Sequence, residues 1–379
     1  MEEWTDRLGF FMVEERPTVI IGAGIIGLSV AYEISKNGGF CLIFEKRERF
    51  AEGASSRNSE VIHGGFLSRK DSLKQKLCVI GGSELKRRLV EWNIKWRECG
   101  KIVIAVEDAE VPRLGEIVDE AKRIGVSTSW LGEPRLRELE PALSGDFSKA
   151  AWFPGSSVFD THSYMERMIS EIEDLGSVIL LGTEVLRVEN DGDFPVVHTQ
   201  RESFVANAVI NASGIDSHKL AVGSNQEAWA GCWYRVRGQS ARGMKRLVYR
   251  TSTPDQPGLG VHTTPDWEGE GVRLGPDSIF VPNLPDSFES RHRFQDSSEL
   301  RRHFISRLGA IYPHITIEDL IPDQVGIRSR SRNEAGESDF IFHCAKDESK
   351  IMHLLGMESP GITASPAIAS IVGDWYSKL

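Results

Sequence analysis

The stretch that most constrains this chain is Pro17 to Gly27, PTVIIGAGIIG. Thr18 to Ile21 predicts a short buried strand. Gly22-Ala23-Gly24-Ile25-Ile26-Gly27 then predicts a tight turn into an apolar helix running from about Ile25 to Asn37. Gly22 permits the turn out of the strand. Gly24 lets a pyrophosphate approach the backbone with no Cβ in the way, and Gly27 lets helix and strand pack closely. Unpaired N–H groups and the positive end of the helix dipole make this turn an anion site.

The downstream residues extend the pattern. Asn37-Gly38-Gly39 is followed by a second apolar run, Phe40-Cys41-Leu42-Ile43-Phe44, so the unit reads as strand, helix and parallel strand. Glu45 closes the second strand, where an acidic residue accepts hydrogen bonds from a ribose hydroxyl, and Lys46 follows it. The expectation is an α/β dinucleotide-binding fold.

A chain of 379 residues is long enough for two lobes, because single cores seldom grow beyond about 250 to 300 residues. The formal charge of −10 argues against nucleic acid as a partner, while a locally basic pocket still admits a small anion. No apolar run approaches the roughly 18 residues of a membrane span. MEEWTDRLGFFMVEERP resembles neither a secretory signal nor an Arg-rich presequence, so the expected address is cytoplasmic. Loose membrane association and a mitochondrial address are both compatible with it. Cys41, Cys78, Cys99, Cys232 and Cys344 show no C-x-x-C pairing, so reduced thiols are expected, with no disulfide frame and no metal site.

Ala54-Ser55-Ser56-Arg57-Asn58-Ser59-Glu60-Val61-Ile62-His63-Gly64-Gly65-Phe66 is the second informative stretch. Its hydroxyls, Arg57 and Asn58 supply donors for a ribityl chain and phosphates. His63, followed by two glycines, is a side chain presented where something approaches closely, beside the cofactor.

SSRNSEVIHGG, then SLKQKLCVIGGSEL and RECGKIVIAVEDAEVPRL, resemble the FAD-dependent L-2-hydroxyglutarate dehydrogenases and oxidases of the glycine/D-amino-acid oxidase superfamily. The resemblance continues through RELEPAL, SSVFDTHSYM, VINASG, GLGVHTTPDWEGEGVRLGPD, VGIRSR and MESPGITASPAIA, and so covers nearly the whole chain in order. It implies a Rossmann-like FAD-binding domain of the D-amino-acid oxidase type and a sheet-rich substrate-binding domain, α/β in class and α+β overall. The first is expected from 1–90, 150–225 and 325–379, the second from 91–149 and 226–324. It also implies cofactor contacts from Val61, Val185, the Ala212-Ser213-Gly214 turn, Arg328 and Pro360-Gly361-Ile362-Thr363.

The remaining chain reads as alternating elements. Helices are expected over Lys70 to Arg88, Ala109 to Ile124, Pro134 to Glu140, His162 to Leu175 and Ser298 to Leu308. Strands are expected over Lys101 to Val106, Ser177 to Leu181, Val185 to Val188, Ala208 to Asn211 and Ile351 to Leu355, with a hairpin at 195–205. Further strand-like pieces lie at Cys232 to Arg237, Arg246 to Arg250, Gly260 to Thr264 and Gly271 to Leu274. Trp92, Trp96, Trp130 and Trp152 are expected in the core. Ser365-Pro366 reads as the start of the last helix, a hydroxyl cap with Pro at the first helical position.

Arg328, just after Gly326, suits a bidentate carboxylate clamp, although Arg330 and Arg332 lie close by. His262, flanked by Gly258-Leu259-Gly260-Val261, reads from its residues as a core or a substrate histidine; the resemblance favours the substrate role. The expected chemistry is oxidation of a small 2-hydroxy acid with FAD as cofactor, its carboxylate on Arg328 and its hydroxyl proton taken by His63 or His262. Lys70, Lys74 and Arg237 are the candidates for a second carboxylate. Phe66-Leu67-Ser68 and Tyr249-Arg250-Thr251-Ser252 depart from the family pattern beside the expected pocket, so the substrate reads as L-2-hydroxyglutarate or a relative. Competing readings are an amine or amino-acid oxidase of the same superfamily and a flavin-binding protein without turnover. The acceptor of the electrons is open among oxygen, a quinone and another flavoprotein.

Overall fold

In the computed structural model the described residues are 16–221, 223–224, 226–251, 260–344 and 350–379. The N-terminal stretch read for targeting lies outside them up to residue 15, as do Ser252, Gly258 and Leu259. The opening strand is Thr18–Ile21, fully buried, and it pairs in parallel with Cys41–Phe44 on one side and Ala208–Asn211 on the other. The sheet has six strands, ordered Ile341–His343, Ile351–Leu355, Ala208–Asn211, Thr18–Ile21, Cys41–Phe44, Val178–Leu180. Its central strands are buried at every position because both faces are covered, and all but Thr18, Asn211 and His353 of their residues are apolar. Ile20, Ile43 and Ile210 face helices Ile25–Lys36, Gly361–Tyr376 and Thr161–Asp174, whereas Val19, Ile21, Leu42, Phe44 and Val209 meet Val197 and Phe204 of a three-stranded sheet. A side-chain period of two divides the same strands between two cores.

The second large sheet has nine strands and joins Lys101–Ala105, Ser129–Leu131 and Lys149–Phe153 to the strands between Gln226 and Ser331. Its longest pair is Gln226–Val236 with Leu320–Ser331. This moves two expected boundaries. The strands at Lys149–Phe153 and Leu320–Ser331 hydrogen-bond into the second sheet, so the changeovers at 150 and 325 fall inside strands of that lobe. Gly326 sits in the middle of the second of these strands, not in a turn. A Cβ there would lie 2.3 Å from the Arg57 carbonyl oxygen, so the glycine admits the Arg57 loop against the sheet.

The expected elements form close to their predicted limits, with two instructive differences. Trp130 is 42% exposed, on the strand at the sheet edge, with the Lys149 ammonium 4.2 Å from its ring centroid. The last helix starts at Gly361, four residues ahead of the Ser365 start, with Pro366 inside it. Pro366 has no N–H to give the Ile362 carbonyl, and the helix continues because its buried face packs against helices Leu73–Glu91 and Ile25–Lys36. Among the described residues no helix is long and apolar enough to cross a membrane.

Gly27 is the tightest point of the opening turn: a Cβ there would lie 1.9 Å from the Gly22 carbonyl oxygen. Gly27→Ala is expected to destabilise the protein by on the order of 3 kcal/mol, read as a lower urea midpoint. Gly115, on helix Val111–Arg123 with open space where its Cβ would be, is the control. Gly115→Ala should raise stability by about 0.5–1 kcal/mol, and equal effects at the two positions would refute the packing account.

Candidate active site

A cavity of about 1090 Å³ runs from the opening glycine turn to the face of the second sheet. That is at the upper end of small-molecule sites, with room for an extended cofactor and a substrate together. At one end Gly22 has φ +103°, and a Cβ on it would meet the Ala212 carbonyl oxygen at 2.8 Å. The Ile25 N–H donates to Ser55 Oγ (3.0 Å), which seats a hydroxyl at the helix N-terminus. Glu45 accepts from the N–H groups of Ala23 and Arg47, both at 3.0 Å. Burial pushes its carboxyl upward, against those two donors. A carboxylate has about four acceptor sites, so Glu45 retains capacity for ribose hydroxyls.

The start of the C-terminal helix forms the opposite wall. Gly361 and Ala364 donate to the carbonyls of Glu358 and Pro360, which leaves the first-turn N–H groups of Ile362 and Thr363 for the cavity that both residues line. Its position at Gly361 brings Pro360 to Thr363, and not Ser365, to the site. Two helix N-termini, one bare glycine and an acceptor carboxylate make a donor set that fits the phosphates and ribose of a dinucleotide such as FAD.

Most expected cofactor residues line this cavity: Gly22, Gly24, Ile25, Ile26, Glu45, Lys46, Ser55, Arg57, Asn58, Ser59, Val61, His63, Val185, Ala212, Ser213, Gly214 and Arg328. Ala23, Gly27 and Ser56 do not. The Ala23 N–H is held by Glu45, Gly27 packs beneath the turn, and the Ser56 hydroxyl donates to the Ala51 carbonyl at 2.6 Å. Asn58 is occupied within its own loop, donating to the Ser55 carbonyl (2.7 Å) and accepting from the Glu60 N–H (2.7 Å). Lys46 is ion-paired with Asp216 at 2.7 Å. Asp216 also holds Arg291 at 3.0 Å. Burial works against that carboxylate, and the hydrogen bonds from Arg291 and Lys46 outweigh it, holding it well below the usual range. Asp216 and Arg291 carry no local sequence signal, since they lie 75 residues apart.

The far end of the cavity brings His63, His262 and Arg328 together. His63 follows the short strand Val61–Ile62, and its N–H donates to Thr363 Oγ1 at 3.1 Å. His262 opens the strand His262–Pro265, with Nδ1 3.1 Å from the Gly260 carbonyl and the ring stacked on Tyr249 at 3.9 Å. The carbonyl places the hydrogen on Nδ1 and the lone pair on Nε2, which is buried and has no hydrogen-bond partner among the described residues. Burial lowers both imidazoles, with the charge of Lys101 adding to it: His63 well below its ordinary value, His262 to about 3 against the pull of the Gly260 hydrogen bond. Both rings are neutral at physiological pH.

The arginines separate clearly. Arg330 is tied to Glu358 at 3.0 Å and Arg332 to Glu227 at 2.9 Å. Arg328 donates to the Asp277 carbonyl (2.7 Å) and Ser278 Oγ (3.2 Å), and among the described residues no carboxylate lies within ion-pair distance of it. Gly231 makes its room, since a Cβ there would lie 2.6 Å from Arg328 Nη2. The candidates for a second carboxylate do not reach this end free. Lys74 is paired with Glu358 at 2.8 Å, Arg237 donates to the Glu318 carbonyl, and Lys70 is exposed outside the cavity wall. Sequence reasoning missed Lys101, Trp233 and Arg307, which line the same region.

The chain matches the family described as FAD dependent oxidoreductase over residues 18–375. It is similar to the L-2-hydroxyglutarate dehydrogenase of Indibacter alkaliphilus, 27% identical, covering 95% of this chain and 98% of that one. It is similar also to the mitochondrial L-2-hydroxyglutarate dehydrogenase of Arabidopsis thaliana, 30% identical, covering 96% of this chain and 84% of that one. Among solved structures it shares its fold with the reduced, FAD-bound L-alpha-glycerophosphate oxidase of Mycoplasma pneumoniae, at TM-score 0.85 and 21% identity over 96% of this chain and 95% of that one. The glycine oxidase of Geobacillus kaustophilus matches at TM-score 0.80 and 22% identity, with 96% of this chain and 95% of that one covered.

The depressed His262 carries a stability signature. An unfolded chain takes up a proton near 6.5 that the folded chain refuses until about 3, so stability is lost as pH falls through that window. Between pH 7 and pH 5 the loss from this one group is about 2 kcal/mol. His262→Gln should remove that share, giving a smaller drop in urea-unfolding free energy between the two pH values than the wild type shows. Parallel drops would contradict the burial of a neutral ring.

Proposed function

The chain belongs to the FAD dependent oxidoreductase family, among the L-2-hydroxyglutarate dehydrogenases, and from that premise we propose that it oxidises the C2 hydroxyl of a small 2-hydroxy acid, L-2-hydroxyglutarate or a relative, to the 2-oxo acid. The observation that carries this reading is a guanidinium, Arg328, with no carboxylate within ion-pair distance among the described residues, sharing one cavity with two neutral imidazoles. A bidentate contact from Arg328 to the C1 carboxylate would fix the orientation of C2. When bound, FAD supplies the acceptor for the hydride.

We assign the base to His63. Taking the hydroxyl proton makes an imidazolium, and His262, 3% exposed and stacked on Tyr249, is the poorer place for that charge. His63 is half-buried at the cavity surface; burial is the main cause of its lowered basicity, and a substrate carboxylate that offsets Lys101 relieves the second. His262 is a positioning residue: its tautomer is held by Gly260, and Nε2 offers a hydrogen-bond acceptor in a set direction. Phe66, Leu67 and Trp233 keep water from the reacting carbon. FAD would be held by the Gly22 to Ile26 turn, Glu45, Ser55, Arg57 and the Gly361 to Thr363 helix start, all of which reach the cavity. We place the reaction in the cytoplasm, with a small anionic acid as the partner; cell fractionation tests the address.

Anaerobic addition of L-2-hydroxyglutarate to FAD-loaded protein should bleach the oxidised flavin band, with lactate and glycine as comparisons. Bleaching by glycine or other amino acids and by no 2-hydroxy acid would replace this function with amino-acid oxidation. His63→Asn is expected to lower kcat by roughly 10²–10⁴-fold with little change in KM. Arg328→Lys should raise KM by about 10- to 100-fold, measured as initial rates with an artificial electron acceptor.

A further inference from the structure

We propose that Lys101 is a second carboxylate anchor of the cavity, so that the substrate is held as a dianion between Lys101 and Arg328. This rests on the 2-hydroxy acid reading above and narrows it to dicarboxylates. Lys101 opens the fully buried strand Lys101–Ala105 and is itself 1% exposed, yet it lines the cavity. Among the described residues no carboxylate lies within ion-pair distance of its ammonium, whereas Lys46, Lys74, Arg291 and Arg330 of the same wall each have one.

Its neighbours are aromatic faces and thiols. Nζ lies 4.2 Å from the Tyr249 ring centroid and 5.5 Å from that of Phe66. Cation–π contacts with these rings offset only part of what an unpaired buried ammonium costs. Cys78 supplies no counter-charge, because burial pushes its thiol up to about 12. Nor does Lys101 escape by becoming neutral. Burial brings it down only to about 8, which leaves most of it charged near neutral pH. A charge kept at that cost, in the wall of a cavity, is offset once an anion enters.

Position fits the role. Tyr249, on which Lys101 rests, stacks on His262 at 3.9 Å, and the charge of Lys101 lowers both His63 and His262. Arg328 lowers His262 as well, so the two cations act on the same imidazole. Both cations line the one cavity with the two histidines, so a dicarboxylate bound there can meet both. Arg307, a further cation of the wall, is only half-buried and can keep its water, so its charge requires no ligand.

The test titrates FAD-loaded protein with glutarate, which has two carboxylates and no hydroxyl to oxidise, and with butyrate, which has one, following the shift of the flavin absorption band. Wild type should bind glutarate roughly 10- to 100-fold more tightly than butyrate. Lys101→Met should abolish that preference while changing butyrate affinity by no more than about twofold, and Lys101→Arg should regain part of it. Equal binding of the two acids by wild type, a comparison that needs no variant, would overturn the anchor. So would a Lys101→Met protein that keeps the preference. Anaerobic bleaching by L-2-hydroxyglutarate without a glutarate preference would overturn the anchor and leave the proposed function standing. A glutarate preference with no bleaching by any 2-hydroxy acid would do the reverse.

Discussion

Thr363 is fully buried in the first turn of the C-terminal helix, and its hydroxyl joins the two ends of the chain. It accepts from the His63 N–H at 3.1 Å and donates to the Val61 carbonyl at 3.2 Å, across about 300 residues of sequence. These two bonds hold the strand that carries His63 against the helix start that walls the cavity. Without them the loop after Val61–Ile62 would be anchored chiefly by its pairing with Ser157–Phe159. Gly81 and Gly82 permit the approach: a Cβ at Gly81 would lie 2.5 Å from the Thr363 carbonyl oxygen. The close packing of helices Leu73–Glu91 and Gly361–Tyr376 thus sets the spacing of the whole site.

The elements of the two large sheets meet through polar contacts around the same cavity. Arg273 of the second sheet reaches Glu60 at 2.9 Å, and Arg291 reaches Asp216 at 3.0 Å. Gly326 lets the backbone of Arg57 rest on the strand Leu320–Ser331. Gly326 lies two residues from Arg328 on that strand, so the strand that carries Arg328 also touches the Arg57 loop. An interface of this kind, polar and distributed, suits a cavity that must admit a large cofactor.

Charge is distributed by pairing. The chain is acidic overall, at −10, yet the cavity end with the two histidines is locally cationic. Lys46, Lys74, Arg291 and Arg330 of the wall have carboxylate partners; among the described residues Arg328 and Lys101 have none within ion-pair distance, and the two imidazoles at that end are kept neutral chiefly by burial. In a site of low dielectric the uncompensated charge acts strongly on whatever enters. An acidic surface and a cationic interior coexist because the one is screened by water and the other is not.

Local chemistry made much of this legible from the residues alone. The strand-turn-helix at Thr18–Lys36 and the parallel strand Cys41–Phe44 that precedes Glu45 follow from hydrophobic period and glycine placement, each a property of neighbouring residues. Family resemblance added His262, Val185 and the 360–363 turn, all of which line the cavity. Other features depended on contacts between distant segments. The start of the last helix at Gly361 was hidden by Ser365-Pro366, a good local start overridden by packing on two other helices. Which of Arg328, Arg330 and Arg332 stays unpaired was decided by Glu358 and Glu227, both remote in sequence. Lys101 read as one residue of a β-branched strand, and only the fold put its ammonium among Tyr249, His262 and His63. Backbone geometry is written in short-range pattern; the charge state and pairing of a buried group are set by what the rest of the chain brings within a few ångströms of it.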